Sequence, residues 1–204
     1  MTGSPRTFDL WFVRPEEVQG PVLLERFRAL LTTEERARNQ RFRQERHRHQ
    51  DLVTRALVRH VLSQYATDLH PAEWIFSENH HGKPAIAGPA GAPRLSFNLS
   101  HTDGMLLCGV TQHHPVGVDV ERIDRKTDVG AIADRFFSES EVNALLTLPE
   151  HAQTQRFFDY WTLKEAYIKA RGLGLALPLG DFSFAILDAP AASVAGPVRP
   201  APCR

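Results

Sequence analysis

The chain has 204 residues, 42% hydrophobic and 24% charged, enough apolar material for one generous domain or two small ones sharing a core, and too much for wholesale disorder. Lysine plus arginine equals aspartate plus glutamate, 24 of each, so no global field directs the chain to nucleic acid or membrane. Two cysteines, Cys108 and Cys203, exclude a disulfide framework of the secreted kind. The first residues lack the basic and apolar regions of a signal peptide, and no apolar run approaches the ~20 residues that span a bilayer, so the expected setting is the cytoplasm.

In chain order, "FDLWFV" (8–13) reads as an opening strand that ends before Pro15. From Leu31 to about Tyr65 the pattern is helical, with Thr32 or Thr33 as N-cap; its first part is dense in arginine and its second carries an apolar stripe at 52, 53, 56, 57, 61 and 62. "WIFSENHHGKPAI" predicts a strand running into a loop at Gly82 and Pro84, and "AGPAGAP" (87–93) a surface loop. "RLSFNLSHTDGMLLCGVTQHHPVGVDVERI" predicts three short strands, the last two, "MLLCGVT" and "VGVDVE", forming a hairpin around "QHHP". Helices follow at about 129–137 and 139–148, then a longer one through "FFDYWTLKEAYIKARGLGL" (157–175), and "LPLGDFSFAIL" (177–187) predicts a final strand. The tail from Asp188 is rich in Pro and Ala and is expected to be loosely ordered. The fold class is α+β, with an N-terminal half (1–115), a C-terminal half (116–187) and a tail (188–204).

Two segments carry the acids. On a strand, "VGVDVE" alternates Val116, Val118 and Val120 on one side with Gly117, Asp119 and Glu121 on the other. Two same-face carboxylates repel unless a basic partner, water or a cation intervenes. Taken alone, such a pair is more often a solvated face or an arginine partner. On the helix, at about 100° per residue, Phe157, Ile168 and Trp161 span roughly 40° of arc, Glu165 sits about 40° beyond Trp161, and Lys169 about 40° further. A surface ion pair between Glu165 and Lys169 is the bland alternative, but it does not explain an acid at the border of an aromatic arc. Asp119, Glu121 and Glu165 together form a candidate Mg²⁺ site, since a hard cation takes oxygen ligands, keeps several waters and usually adds substrate phosphate. Lys83 on its Gly–Pro turn, and Ser100 with His101 after a strand, are candidate phosphate contacts, each of which alone is more often a solvated or turn-forming residue. No cysteine cluster supports zinc, no G-x-S-x-G elbow surrounds Ser100, and the "GLG" at 172–174 is too short for a dinucleotide fingerprint.

Taken together, "GKP" (82–84), "FNLSH" (97–101), "VGVDVE" (116–121), "RFFSESE" (135–141) and the 157–175 stretch resemble the Sfp-type 4′-phosphopantetheinyl transferases, over about Leu31 to Phe184. The resemblance implies a pseudo-twofold monomer of two similar α+β halves with coenzyme A between them. It implies transfer of phosphopantetheine to a serine of an apo acyl or peptidyl carrier protein, with release of adenosine 3′,5′-bisphosphate. It further implies that Asp119, Glu121 and Glu165 hold Mg²⁺ (or Mn²⁺) against the CoA diphosphate. Lys169 would touch the same diphosphate and His101 a CoA phosphate; Lys83, Pro84 and Ser100 would serve the nucleotide end, and Glu141 would stand near the site in a secondary role. The chain departs from the family's pattern in the arginine-rich helix, where Glu35 stands in place of a basic residue and the phosphate contacts shift to Arg38 and to Arg46 or near Arg48. An unactivated serine needs a base, for which Glu165 is the candidate, directly or through water. The competing readings are a metal-dependent phosphohydrolase built on the same acids and a non-catalytic module that grips acidic proteins or RNA through its basic helix.

Overall fold

The computed structural model describes residues 8–124 and 128–187. Strand β1 (Phe8–Val13) is followed by helices α1 (Pro21–Ala29), α2 (Thr33–Gln40) and α3 (Glu45–Ser63). Strands β2 (Ile75–Glu78), β3 (Pro84–Gly88), β4 (Leu95–Thr102) and β5 (Met105–Gln112) come next, then helices α4 (Val129–Phe136), α5 (Glu139–Leu146) and α6 (Glu150–Arg171). β5 lies between β1 and β4 in an antiparallel sheet, and β2 pairs with β3 in a separate antiparallel hairpin. The mixture of helix and sheet is the expected α+β class. Two similar halves are not shown, because every assigned strand among the described residues lies between 8 and 112. The expectation for the tail from Asp188 lies outside the described residues.

Local signals set most boundaries. Thr32 caps α2 through a reciprocal box: its side chain accepts from the Glu35 N–H, and the Glu35 carboxylate accepts from the Thr32 N–H at 3.0 Å. Glu35 also receives Arg55 at 2.8 Å and the buried Arg59 at 2.9 Å, so the departure in the basic helix is structural here, a carboxylate that locks α2 onto α3. The long helical stretch breaks after Gln40, where Asn39 donates to both the Arg48 carbonyl and Asp51, at 2.8 Å each. Helix α1 lies in a stretch with no assignment from sequence, because it buries none of its residues fully and its Leu23, Leu24 and Phe27 only flank the core. The core itself is α3 (Val53, Leu57, Val61, Leu62) laid on Trp74, Phe97, Leu106, Cys108 and Val110.

Two predicted strands are not strands. The segment 116–121 has no ladder partner, and the hairpin partner of β5 is β4, joined through Asp103 and Gly104. Likewise 182–187 carries no assigned strand. In both places side chains take over the work of a ladder. Past α6, Lys164 donates to the carbonyls of Leu179 (2.7 Å) and Phe182 (2.6 Å), and Glu141 accepts from the Phe184 N–H at 2.9 Å. Lys164 and Glu141 meet each other at 2.6 Å with 0% and 1% of their side chains exposed. They sit beside a second aromatic core of Phe137, Phe157, Phe158 and Tyr160. A charge sealed this way is tolerable only while its partner remains, so Lys164→Ala is expected to lower unfolding stability by about 3–5 kcal/mol, read from urea denaturation. Adding Glu141→Gln, which removes the stranded charge but keeps an acceptor for the Phe184 N–H, should recover part of the loss, and no recovery would mean the pair is not the source of the cost.

Candidate active site

The site is built where 116–121 passes between β4 and α6. Gly117 runs so close to the helix that an added Cβ would lie 1.9 Å from the Ala166 carbonyl oxygen and 2.4 Å from the Ala170 nitrogen. On the other side, Val116 and Val118 pack over Gly109 of β5, where an added Cβ would lie 2.5 Å from a Val118 methyl carbon. The alternation expected of a strand therefore survives without the strand: valines face the sheet, while Gly117 faces the helix and Asp119 reaches Lys169. Three side chains hold the segment. Lys83 Nζ donates to the Val116 carbonyl at 3.2 Å, Asn98 Oδ1 accepts from the Val118 N–H at 2.9 Å, and Ser100 Oγ donates to Asp119 Oδ1 at 2.8 Å.

Asp119 is the centre. Its side chain is 6% exposed, and Lys169 Nζ lies 2.6 Å from Oδ1 and 2.9 Å from Ser100 Oγ. Its other oxygen, Oδ2, is buried without a hydrogen-bond partner. A bare carboxylate oxygen away from water is costly, and a cation is the partner that would relieve it. Glu165, half-buried on α6, has its carboxyl pushed above the ordinary value, first by burial, then by the negative charge of Asp119, with Glu121 adding and Lys169 opposing. Asp119 and Glu121 are thus both within electrostatic reach of Glu165. The three acids do not close into a cage: among the described residues no group of three His, Cys, Asp or Glu side chains is arranged to hold an ion alone. The set fits a cation that takes one or two carboxylates and completes its shell with water and substrate oxygens.

A cleft of about 280 Å³ opens beside this centre, lined by His81, Lys83, Pro84, Asn98, Glu165 and Lys169 among others. Its far wall is the turn between β2 and β3, shaped by Asn79, whose side-chain oxygen accepts from the His81 and Lys83 N–H groups at 2.9 Å each. Asn79 also donates to the Gly172 carbonyl at 3.1 Å, tying the turn to the end of α6. Lys83 donates to the Ala170 carbonyl at 2.9 Å as well, a cation at a helix C-terminus, and burial lowers its pKa. Two of its three N–H groups are therefore committed to carbonyls. α6 ends in left-handed Gly172 (φ 65°), the turn that brings its last carbonyls to these partners.

Other candidates lie elsewhere. His101 is exposed and follows Ser100 on β4, so strand alternation turns it to the opposite side. Arg38 is exposed on α2 and pairs with Glu78 at 3.4 Å. Arg46 bonds Gln44 and lines a separate surface cavity with Glu16 and His49, and Arg48 pairs with Glu45. Glu141 is the buried partner of Lys164, not a free acid. Asn98, Gly117 and Asn79 were not singled out from sequence. Two of them had a readable signal: Asn98 stands two residues before Ser100 on a strand, hence on its face, and a glycine inside an extended apolar run marks a close backbone approach.

Comparison with known proteins places the chain in a family. The family description "4′-phosphopantetheinyl transferase superfamily" matches residues 115–202, and "4′-phosphopantetheinyl transferase, N-terminal" matches residues 21–112. The 4′-phosphopantetheinyl transferase Sfp of Bacillus subtilis is 35% identical over 180 residues, 88% of this chain and 77% of its own. HetI of Nostoc, a 4′-phosphopantetheinyl transferase, is 36% identical over 148 residues, 72% of this chain and 62% of its own, so the chain spans a little under two thirds of that relative. The 4′-phosphopantetheinyl transferase psf-1 of Bacillus pumilus is 34% identical over 88% of this chain and 74% of its own.

Two outcomes follow from the packing and the charges. Gly117→Ala places a methyl against helix backbone that no rotamer change can relieve, and is expected to cost at least about 3 kcal/mol in denaturation. Because the folded-state pKa of Glu165 lies above its ordinary value, the ionised group disfavours folding: its contribution falls as pH rises from the ordinary carboxylate pKa through the folded one, and stays lost above. Glu165→Gln in chelator at pH 7 should therefore raise Tm by about 1–3 °C, a gain that vanishes in acid below the ordinary pKa. A lower Tm at pH 7 would contradict that balance.

Proposed function

The chain belongs to the 4′-phosphopantetheinyl transferase family of enzymes, and we propose that it moves phosphopantetheine from coenzyme A to a serine hydroxyl of an apo acyl or peptidyl carrier protein. The observation that supports this most directly is the contact of Lys169 with Asp119 beside the cleft that Glu165 and Lys169 line, with a buried Asp119 oxygen left unpartnered. Bound there, Mg²⁺ would be held by Asp119 and Glu165 with Glu121 beside them, and would supply charge stabilisation at the diphosphate. The protein's own groups do the rest.

Lys169 stands where it can leave Asp119 for a phosphate oxygen, since both are anionic partners for one ammonium, and Ser100 stays within reach of either. Lys83 offers its remaining N–H to the nucleotide end of the substrate, beside Pro84 on the cleft wall. The carrier serine oxygen forms a bond to the β-phosphorus while the bond from that phosphorus to the bridging oxygen breaks. The bridging oxygen departs with adenosine 3′,5′-bisphosphate. Glu165, whose burial and acidic neighbours raise its proton affinity, takes the serine proton, and negative charge building on the phosphoryl oxygens is met by Lys169. His101, Arg38 and Arg46 stand outside this cleft and have no part in the chemical step proposed here. No helix among the described residues is long and apolar enough to cross a membrane.

The test is mass spectrometry of several apo carriers incubated with CoA, with and without Mg²⁺. A gain of one phosphopantetheine that requires the metal is expected, and Asp119→Ala or Glu165→Ala should slow it by about 100- to 1,000-fold while the variants remain folded. Wild-type rates in either variant would overturn the roles given to these acids. Nucleotide release from CoA without any carrier would instead favour a hydrolase.

A further inference from the structure

We propose that Asn98 is the positioning residue of this site: it sets the place of Asp119 by holding the backbone N–H of the preceding residue. The segment 116–121 has no ladder, so the Val118 N–H, in a residue only 6% exposed, depends on a side chain for its hydrogen bond. Asn98 Oδ1 provides it at 2.9 Å, and Asn98 is itself only 5% exposed. Two residues further along the same face of β4, Ser100 grips the Asp119 carboxylate at 2.8 Å. One strand face thus takes hold of two consecutive residues, the first by its backbone and the second by its side chain.

The residue type follows from the surroundings. An N–H demands an acceptor, which leucine lacks. A serine at position 98 is too short to span the gap its carboxamide bridges. Aspartate would reach, but would add a charge beside Asp119, Glu165 and Glu121. The carboxamide alone combines reach, an acceptor and neutrality. Losing the acceptor leaves a buried N–H unpaired, and the nearest relief is movement of the segment toward water. That movement would take Asp119 Oδ1 out of register with Ser100 and Lys169, while the sheet beneath keeps its own ladder bonds.

This deepens the transferase reading and rests on it for its consequence in catalysis, but the anchor can be tested without any substrate. Hydrogen exchange of the full chain would be followed at Val118 and, as a control, at Leu106 and Val110 of β5. Asn98→Leu, which matches the size but has no acceptor, is expected to speed exchange at Val118 at least about tenfold and leave the β5 amides within about twofold. Asn98→Ala serves as the acceptor-free variant if the leucine does not fold. In the transfer assay the acceptor-free variant should lose at least about tenfold in kcat. Unchanged Val118 exchange without an acceptor, or equal loss of protection across β5, would each overturn the proposal. If wild type transfers nothing, the transferase reading fails while the exchange pattern still decides the anchor.

Discussion

Everything at the cleft depends on how one extended segment, residues 116–121, is held without a sheet partner. Backbone polar groups buried outside a ladder must find other partners. Here they find Lys83, Asn98 and, through the Asp119 side chain, Ser100. Gly117 lets the segment come within touching distance of the α6 backbone at Ala166 and Ala170. The small residues on α6 are part of the same constraint, because Glu165 and Lys169 directly precede them. Close approach at Ala166 and Ala170 brings the neighbouring lysine into contact with Asp119 and the neighbouring acid within reach of its charge.

The same device recurs on the far side of α6. Lys164 and Glu141 replace a sheet by bonding the carbonyls of Leu179 and Phe182 and the N–H of Phe184. Their charges are sealed from water, so each requires the other. Lys164 and Glu165 are adjacent in sequence yet opposite in circumstance. One lysine is neutralised by a dedicated carboxylate and two carbonyls; the next residue, an acid, faces two other acids with a single lysine to offset them. The helix therefore turns a settled charge inward and an unsettled one toward the cleft.

That imbalance is what a reaction site looks like in energetic terms. Asp119 keeps a buried oxygen unpartnered and Glu165 holds its proton more tightly than a solvated glutamate, neither of which helps the fold. Both features are relieved by positive charge arriving from outside. Lys169 answers only part of the need, and in doing so keeps Asp119 oriented by way of Ser100. On the function proposed above, stability given up at these positions is what a cation and an anionic substrate would recover on binding.

Much of this was legible before the fold. The N-cap at Thr32, the apolar stripe on α3 and the opening strand at 8–13 are short-range signals, and α2, α3 and β1 carry them where expected, although the one stretch from Leu31 to Tyr65 is two helices and α1 was not foreseen. The acids at 119, 121 and 165 and the lysines at 83 and 169 were visible as residue types at telling spacings. Not legible were the hairpin partner of β5, the absence of a ladder at 116–121 and 182–187, and the burial of Glu141 and Glu35 in ion pairs. Each of these is a contest between a local preference and a distant partner. "VGVDVE" prefers extension whatever surrounds it, but whether its N–H groups meet another strand or the side chains of Asn98 and Ser100 depends on residues about twenty positions away. Sequence by itself determined which chemistry was on hand and which segments were extended or helical, because those depend on neighbours along the chain. Only the tertiary structure decided which carboxylate is a sealed partner and which stands exposed to a cleft, because desolvation and pairing depend on neighbours in space.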